Sequence, residues 1–273
     1  MRRFIITMML GLSAVVATGQ VPRRESDRRA TLTVEQARSL AAADARQGNL
    51  SLKGLRTIDA AVAEALAGYA GPGLVLDGLA TLEPDAARAL ARFQGKALFL
   101  NGLTTLSAET AAALATFAGT DLNLGGLDSI SVEAAGALAA YGGARLNLEG
   151  LTDVSDEAMA ALAGSGCSNL RLDNIDTLSV PAARALGDFK GQTLSLDGVT
   201  SVSPEVAREL ARFKGEVIRL QLLTTLSREA AAALAKFAGN ALVTSGMLAV
   251  PDAVRAELRN HKSLKRAGPV QIR

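Results

Sequence analysis

Residues 98–121 read LFLNGLTTLSAETAAALATFAGTD, and nearly all of the chain is copies of this stretch. Equivalent units begin at Leu50, Leu74, Leu98, Leu122, Leu146, Leu170, Leu194 and Ile218, with a partial one from Leu242. Every step is 24 residues, without drift. A fixed period of this length marks a solenoid, in which each unit buries its apolar face only against its neighbours.

Number the unit 1 to 24 from its first Leu. Positions 1 and 3 read Leu-x-Leu in seven full units and Ile218-Arg219-Leu220 in the eighth. Alternation of period two puts these side chains on one face of a short strand, with the variable positions 2 and 4 on the other. Position 5 is Gly in six units, after Asp77, Asn101 or Asp197 among others, and such pairs form turns because Gly tolerates positive φ. Aliphatic residues at positions 6 and 9 then drop back inward. Ser at position 10, as in Ser107 and Ser131, Pro at 11 or 12 and Glu at 12 together start a helix: an N-cap, a rigid first turn and an acid facing the dipole. The Glu falls two residues after the Ser, so no capping box is expected. Ala-rich sequence leads to a Leu at position 17 in every full unit. An aromatic follows at position 20 in seven of them, and Gly at 22 is expected to cap the helix. Seven of the nine aromatics thus share one column, which reads as a stacked core seam.

Each unit is therefore strand, corner, short helix and return. Strands stack about 4.8 Å apart, whereas helix axes need about 8–10 Å. The stack should bend, strands inside and helices outside, and gently so because Ala at positions 14, 16 and 18 lets helices approach. The Leu-x-Leu strand, the aliphatic position 6 and the outer helix resemble a leucine-rich repeat. More narrowly they resemble the Ala-rich LxLxGLxxLSxExAxALAxFxG units of secreted bacterial repeat proteins, over residues 50–245. The resemblance implies an α/β fold, a curved right-handed solenoid with one parallel β-sheet inside and short helices outside, of a kind that mostly binds proteins or glycans. Leucine-rich repeats usually place Asn or Cys at position 6 and run an Asn ladder there; this chain has Leu103, Leu127 and Leu151 instead.

Outside the eight repeats (50–241), residues 1–19 combine a basic start, a 14-residue apolar run and small residues before Gln20. That run is too short to span a bilayer comfortably, so the segment reads as a secretory signal peptide; an uncleaved anchor is the alternative. Residues 20–31 are polar and read as a disordered linker. Residues 32–49 form a half repeat and 242–265 an irregular last one, the two caps a solenoid requires, with a tail at 266–273. Residues 30–250 carry 17 Lys/Arg against 23 Asp/Glu, net −6, while 251–273 carry six against two, net +4. An acidic body exported from the cell disfavours nucleic acid. The basic ends read as solvated cap and tail.

Little here supports catalysis. The chain has one His, His261 in the last partial unit's aromatic column, and one Cys, so a His/Cys metal cluster or a Ser-His-Asp site is not expected. Cys167 replaces the Gly of position 22 and Ser165 the aromatic of position 20, which reads as drift in a tolerant loop. The informative surface is the strand face, where position 4 stacks Glu149, Asp173 and Asp197 about 5 Å apart. Three carboxylates that close should repel unless Arg171, Arg145 or a cation offsets them. An ion-paired binding face, a Ca²⁺ site and a glycosidase-like carboxylate pair all fit that column. Sugar chemistry wants aromatic platforms, and this face offers only Phe99. The expectation is a non-catalytic exported scaffold, without cofactor or metal, binding a protein or envelope polymer through Phe99, Asn101, Asn123, Asn147, Glu149, Arg171, Asp173, Asp197 and Arg219. A Ca²⁺-assisted carbohydrate-active enzyme and a purely structural envelope protein are the alternatives.

Overall fold

The computed structural model describes residues 30–42 and 48–244. The expected signal peptide, most of the linker, the cap beyond residue 244 with His261, and the tail lie outside them. Helix and strand alternate: α1 (Val34–Ala41), β1 (Leu50–Ser51), α2 (Ala60–Ala67), β2 (Gly73–Val75), α3 (Pro84–Leu90), β3 (Ala97–Phe99), α4 (Ala108–Ala115), β4 (Asp121–Asn123), α5 (Val132–Leu138), β5 (Arg145–Asn147), α6 (Asp156–Ala163), β6 (Asn169–Arg171), α7 (Val180–Gly187), β7 (Thr193–Ser195), α8 (Pro204–Leu210), β8 (Val217–Leu220), α9 (Arg228–Leu234) and β9 (Ala241–Thr244). The strands form one parallel sheet in chain order. Its register repeats the sequence period, with Leu98 beside Leu122 and Leu146 beside Leu170. The chain is an α/β solenoid, as expected. The core is one continuous cluster in which positions 1, 3 and 17, such as Leu122, Leu124 and Leu138, are fully buried.

The helix starts follow the sequence. Ser107, Ser131, Ser155, Ser179, Ser203 and Ser227 each accept the N–H three residues on, at 3.0–3.2 Å. Where Glu83 takes the cap position it makes no such bond, and Pro84 alone sets the first turn. The half repeat departs from the expectation: Thr33 and Gln36 bond each other's backbone N–H in a capping box before α1.

The glycines do a different job from the one expected. The one positive φ among the described residues belongs to Gly48. The helices end at αR residues such as Thr116, well before position 22. Position 22 is Gly because the aromatic ring two residues earlier lies over it. A Cβ on Gly119 would enter the Phe117 ring and approach the Gly95 carbonyl oxygen to 2.8 Å. Position 5 is Gly for the same kind of reason: a Cβ on Gly102 would come 2.6 Å from the Leu79 carbonyl oxygen of the preceding coil. Close approach, not left-handed backbone, fixes both columns.

The aromatic seam forms. Tyr69, Phe93 and Phe117 stack with centroids 6.5 and 6.3 Å apart, and Phe189, Phe213 and Phe237 at 5.9 and 6.1 Å. These spacings exceed the strand separation of about 4.8 Å, so successive coils fan apart toward the helices and the sheet takes the concave side. Ser165 interrupts the column. There the loop-drift reading fails: Ser165 and Cys167 are both buried, their Oγ and Sγ 3.3 Å apart. With no ring at 165, a side chain fits at 167. The two departures are one exchange of volume inside the core. Burial pushes the Cys167 thiol above its ordinary pKa, with hydrogen bonds pulling partly the other way, which leaves a thiol poor in thiolate.

Candidate functional site

The strands are centred one residue earlier than the sequence suggested. They cover positions 24 to 2, and positions 4 and 5 belong to the turn that follows. Position 1 points into the core, so 24 and 2 face outward together. In register across the sheet these two columns read Gly73/Val75, Ala97/Phe99, Asp121/Asn123, Arg145/Asn147, Asn169/Arg171, Thr193/Ser195 and Val217/Arg219. A polar centre is thus flanked by apolar residues at one end and partly at the other.

Position 4 is not free, contrary to expectation. Asp77 accepts the backbone N–H of Asn101 at 3.1 Å and its amide at 2.9 Å; Asn101 accepts the N–H of Gly125 at 2.9 Å. Asp173 accepts the N–H of Asp197 at 3.3 Å, and Asp197 that of Gln221 at 3.1 Å. A side-chain ladder therefore holds the corner from coil to coil, two positions earlier than in the repeats this sequence resembles. Gly125 breaks it, and the N–H of Glu149 turns instead to Asn147 Oδ1 of its own coil at 3.1 Å. Asn101, Asp173 and Asp197 are corner-builders first.

The carboxylates do not stand bare and repelling. Arg171 bridges Glu149, 3.0 Å away, and Asp173 through its Nε. Arg219 donates Nε and Nη2 to Asp197 Oδ2, at 3.1 and 3.0 Å. Asp173 and Asp197 each give one oxygen to a backbone N–H and the other to a guanidinium, so this column is ion-paired and tied to the corners. No three His, Cys, Asp or Glu side chains converge as a metal site among the described residues. Arg145 does not serve this column; it pairs with Asp121 on the neighbouring strand.

Position 24 is what the sequence reading missed. Asp121, Arg145, Asn169 and Thr193 share the outward face with the expected Asn123, Asn147, Arg171 and Arg219. Alternation about position 1 was the signal, since the residue before each core Leu faces the same way as the residue after it. All of these but Asp121, together with Asp173, Ser195 and Asp197, line an open depression of about 450 Å³. Glu149 and Asn101 stand outside it. Phe99 is half-buried at its edge, beside Asn123.

Asp121 is buried as a whole residue. Burial alone would raise its pKa, but hydrogen bonds from Arg145 and Thr120 and the Arg145 charge outweigh it and hold the carboxyl below its ordinary 3.8. A depressed folded pKa gives stability that is complete above the unfolded value and lost as pH falls through the folded one. Asp121→Asn is therefore expected to flatten the loss of stability below about pH 4. Urea midpoints measured between pH 2 and 7 check it, and unchanged acid sensitivity would contradict it.

The outer helices carry an exposed ion-pair lattice, including Arg92–Glu64, Arg208–Glu205 and Arg212–Asp188. Such pairs in water contribute little each, consistent with a solvated face.

No family model matches the chain, and no curated protein does. Thirty-nine solved chains resemble it. One comes from the crystal structure of the Rad7 and Elc1 complex in yeast: 13% identical, covering 97% of this chain and 92% of that one, with a TM-score of 0.39. A likeness that distant carries neither family nor partner to this chain.

Proposed function

We propose that the chain is a leucine-rich-repeat-like, exported, non-catalytic scaffold that binds a protein or cell-envelope partner through the outward face of its sheet. One observation carries the reading. Side chains at positions 24 and 2, among them Phe99, Asn123, Arg145 and Asn169, stand on adjoining strands that the sheet pairing and the core already hold in place. Rigid display lowers the ordering cost of binding, and Arg and aromatic residues dominate interfaces when buried. The carboxylates that an enzyme would use are committed to the fold and to arginines. Export rests on the basic start and apolar run of residues 1–19. Among the described residues no helix is long and apolar enough to cross a membrane.

The test is capture from envelope extract by the exported chain. Phe99→Ala, Arg145→Ala and Asn169→Ala together are expected to lose the partner with little change in melting. Arg88→Ala, Arg92→Ala and Arg208→Ala on the helices should retain it. Capture by neither parent nor variants would favour a purely structural role. Mass spectrometry of the exported form should place its N-terminus at or near Gln20; an intact Met1 would contradict export by cleavage.

A further inference from the structure

From β4 to β8, positions 24, 2 and 4 carry three arginines, Arg145, Arg171 and Arg219, against four acids, Asp121, Glu149, Asp173 and Asp197. That count suggests no preference for an anion, but accessibility reverses it. The arginine side chains keep 66%, 52% and 38% of their surface exposed, while Asp121, Asp173 and Asp197 keep 12%, 11% and 17%, with Glu149 at 39%. Asp121, Asp173 and Asp197 lie beneath the guanidiniums, while Glu149 is as open as Arg219. Arg145 bonds Asp121 through Nε, and its two terminal nitrogens have no partner among the described residues. What an approaching molecule meets is a row of N–H donors, with the amides of Asn123, Asn147 and Asn169 between them.

From this, and resting on the strand-face reading above, we propose that the occupant is an acidic polypeptide segment lying across the strands. Its carboxylates meet Arg145, Arg171 and Arg219, and an apolar side chain sits against Phe99 and Val75. Guanidinium and carboxylate pair through parallel N–H···O bonds, a match that the two terminal nitrogens of Arg145 leave open, while Arg171 and Arg219 each keep one terminal nitrogen beyond their ion pairs. The apolar flank at Val75 and Phe99 offers a polysaccharide acid nothing, whereas it suits a polypeptide side chain. The spacing gives the segment a length. Strands about 4.8 Å apart put Arg145, Arg171 and Arg219 about 10, 14 and 24 Å from the Phe99 strand. An extended chain rising about 3.3 Å per residue, with side chains alternating between its two edges, reaches Arg145 about three residues after its apolar anchor on one edge, and Arg171 and Arg219 about four and eight residues after it on the anchor's own edge.

The probe is a labelled extended peptide of about ten residues with phenylalanine followed by glutamates at those three offsets. Companion probes replace its glutamates by lysines, or replace the peptide by polygalacturonate. Fluorescence anisotropy with the exported chain reads binding at low and high salt. The glutamate peptide should bind, weaken with salt, and weaken about tenfold in Arg145→Gln while Arg145→Lys recovers part of the loss. Phe99→Ala should weaken it as well, and the helix-face triple variant should not. Equal melting temperatures across the variants separate lost contacts from lost fold. Preference for the lysine peptide, tighter binding of polygalacturonate, or no binding of the glutamate peptide overturns the acidic-polypeptide assignment. The strand-face reading survives those three outcomes if envelope capture still depends on Phe99, Arg145 and Asn169. Binding that only the helix-face variant loses overturns both.

Discussion

Leu138→Ala is expected to cost the fold about 2–5 kcal/mol, the range for deleting a fully buried Leu from a core that relaxes only partly. Leu138 is completely buried in α5, at the centre of the stack, with coils on both sides. The loss spreads because a solenoid is held by contacts between neighbouring units, so a weakened coil loosens two interfaces at once. Leu138→Met, which keeps the volume, should cost under about 1.5 kcal/mol. Urea unfolding followed by circular dichroism measures both. Equal small losses would mean that position 17 is not a core column.

The second large effect is expected at Ser165 and Cys167, and it should be non-additive. Ser165→Phe alone drives a ring onto an occupied site and should cost about 1–3 kcal/mol. Cys167→Gly alone empties part of the core and should also destabilise. The two together reproduce the Phe and Gly of the neighbouring coil and place a ring beside the stack that begins at Phe189. The double variant should therefore match or exceed the parent, with a coupling of about 0.5–3 kcal/mol. Strict additivity in thermal or urea unfolding would show that the two positions do not share one volume.

These two cases mark what the sequence made legible. The 24-residue step and the Leu-x-Leu alternation were enough for one parallel sheet, short capped helices and an aromatic seam, because each depends on periodicity within the chain. The roles of the glycines were not. A Gly column reports that no Cβ is tolerated there; whether backbone torsion or a crowding neighbour forbids it depends on the adjacent coil. At Gly119 the Gly95 carbonyl of the preceding coil crowds in beside the Phe117 ring, and at Gly102 the Asp77 and Leu79 carbonyls of the preceding coil do so. The ladder from Asp173 to Asp197 to Gln221 is equally a contact between coils. It made position 4 look variable and free when Asp and Asn there are both good acceptors for the same N–H. Of the candidate site, the position 2 column was readable. Asn169, and Arg145 as more than a counter-charge to the carboxylates, were not legible because position 24 stands at the far end of the preceding repeat, away from the Leu-x-Leu pair whose face it shares.

Site-specific photo-cross-linking tests the proposal of a sheet-face partner most directly. A benzophenone side chain placed at Asn169 stands on the sheet face; placed at Gly136, where an added Cβ meets nothing within 4 Å, it stands in open space on the outer helix α5. Both proteins are mixed with envelope extract and irradiated. A partner seated on the sheet gives a discrete adduct from position 169 and none from 136. The same adduct from 136 alone would place the binding surface on the helices and contradict the account.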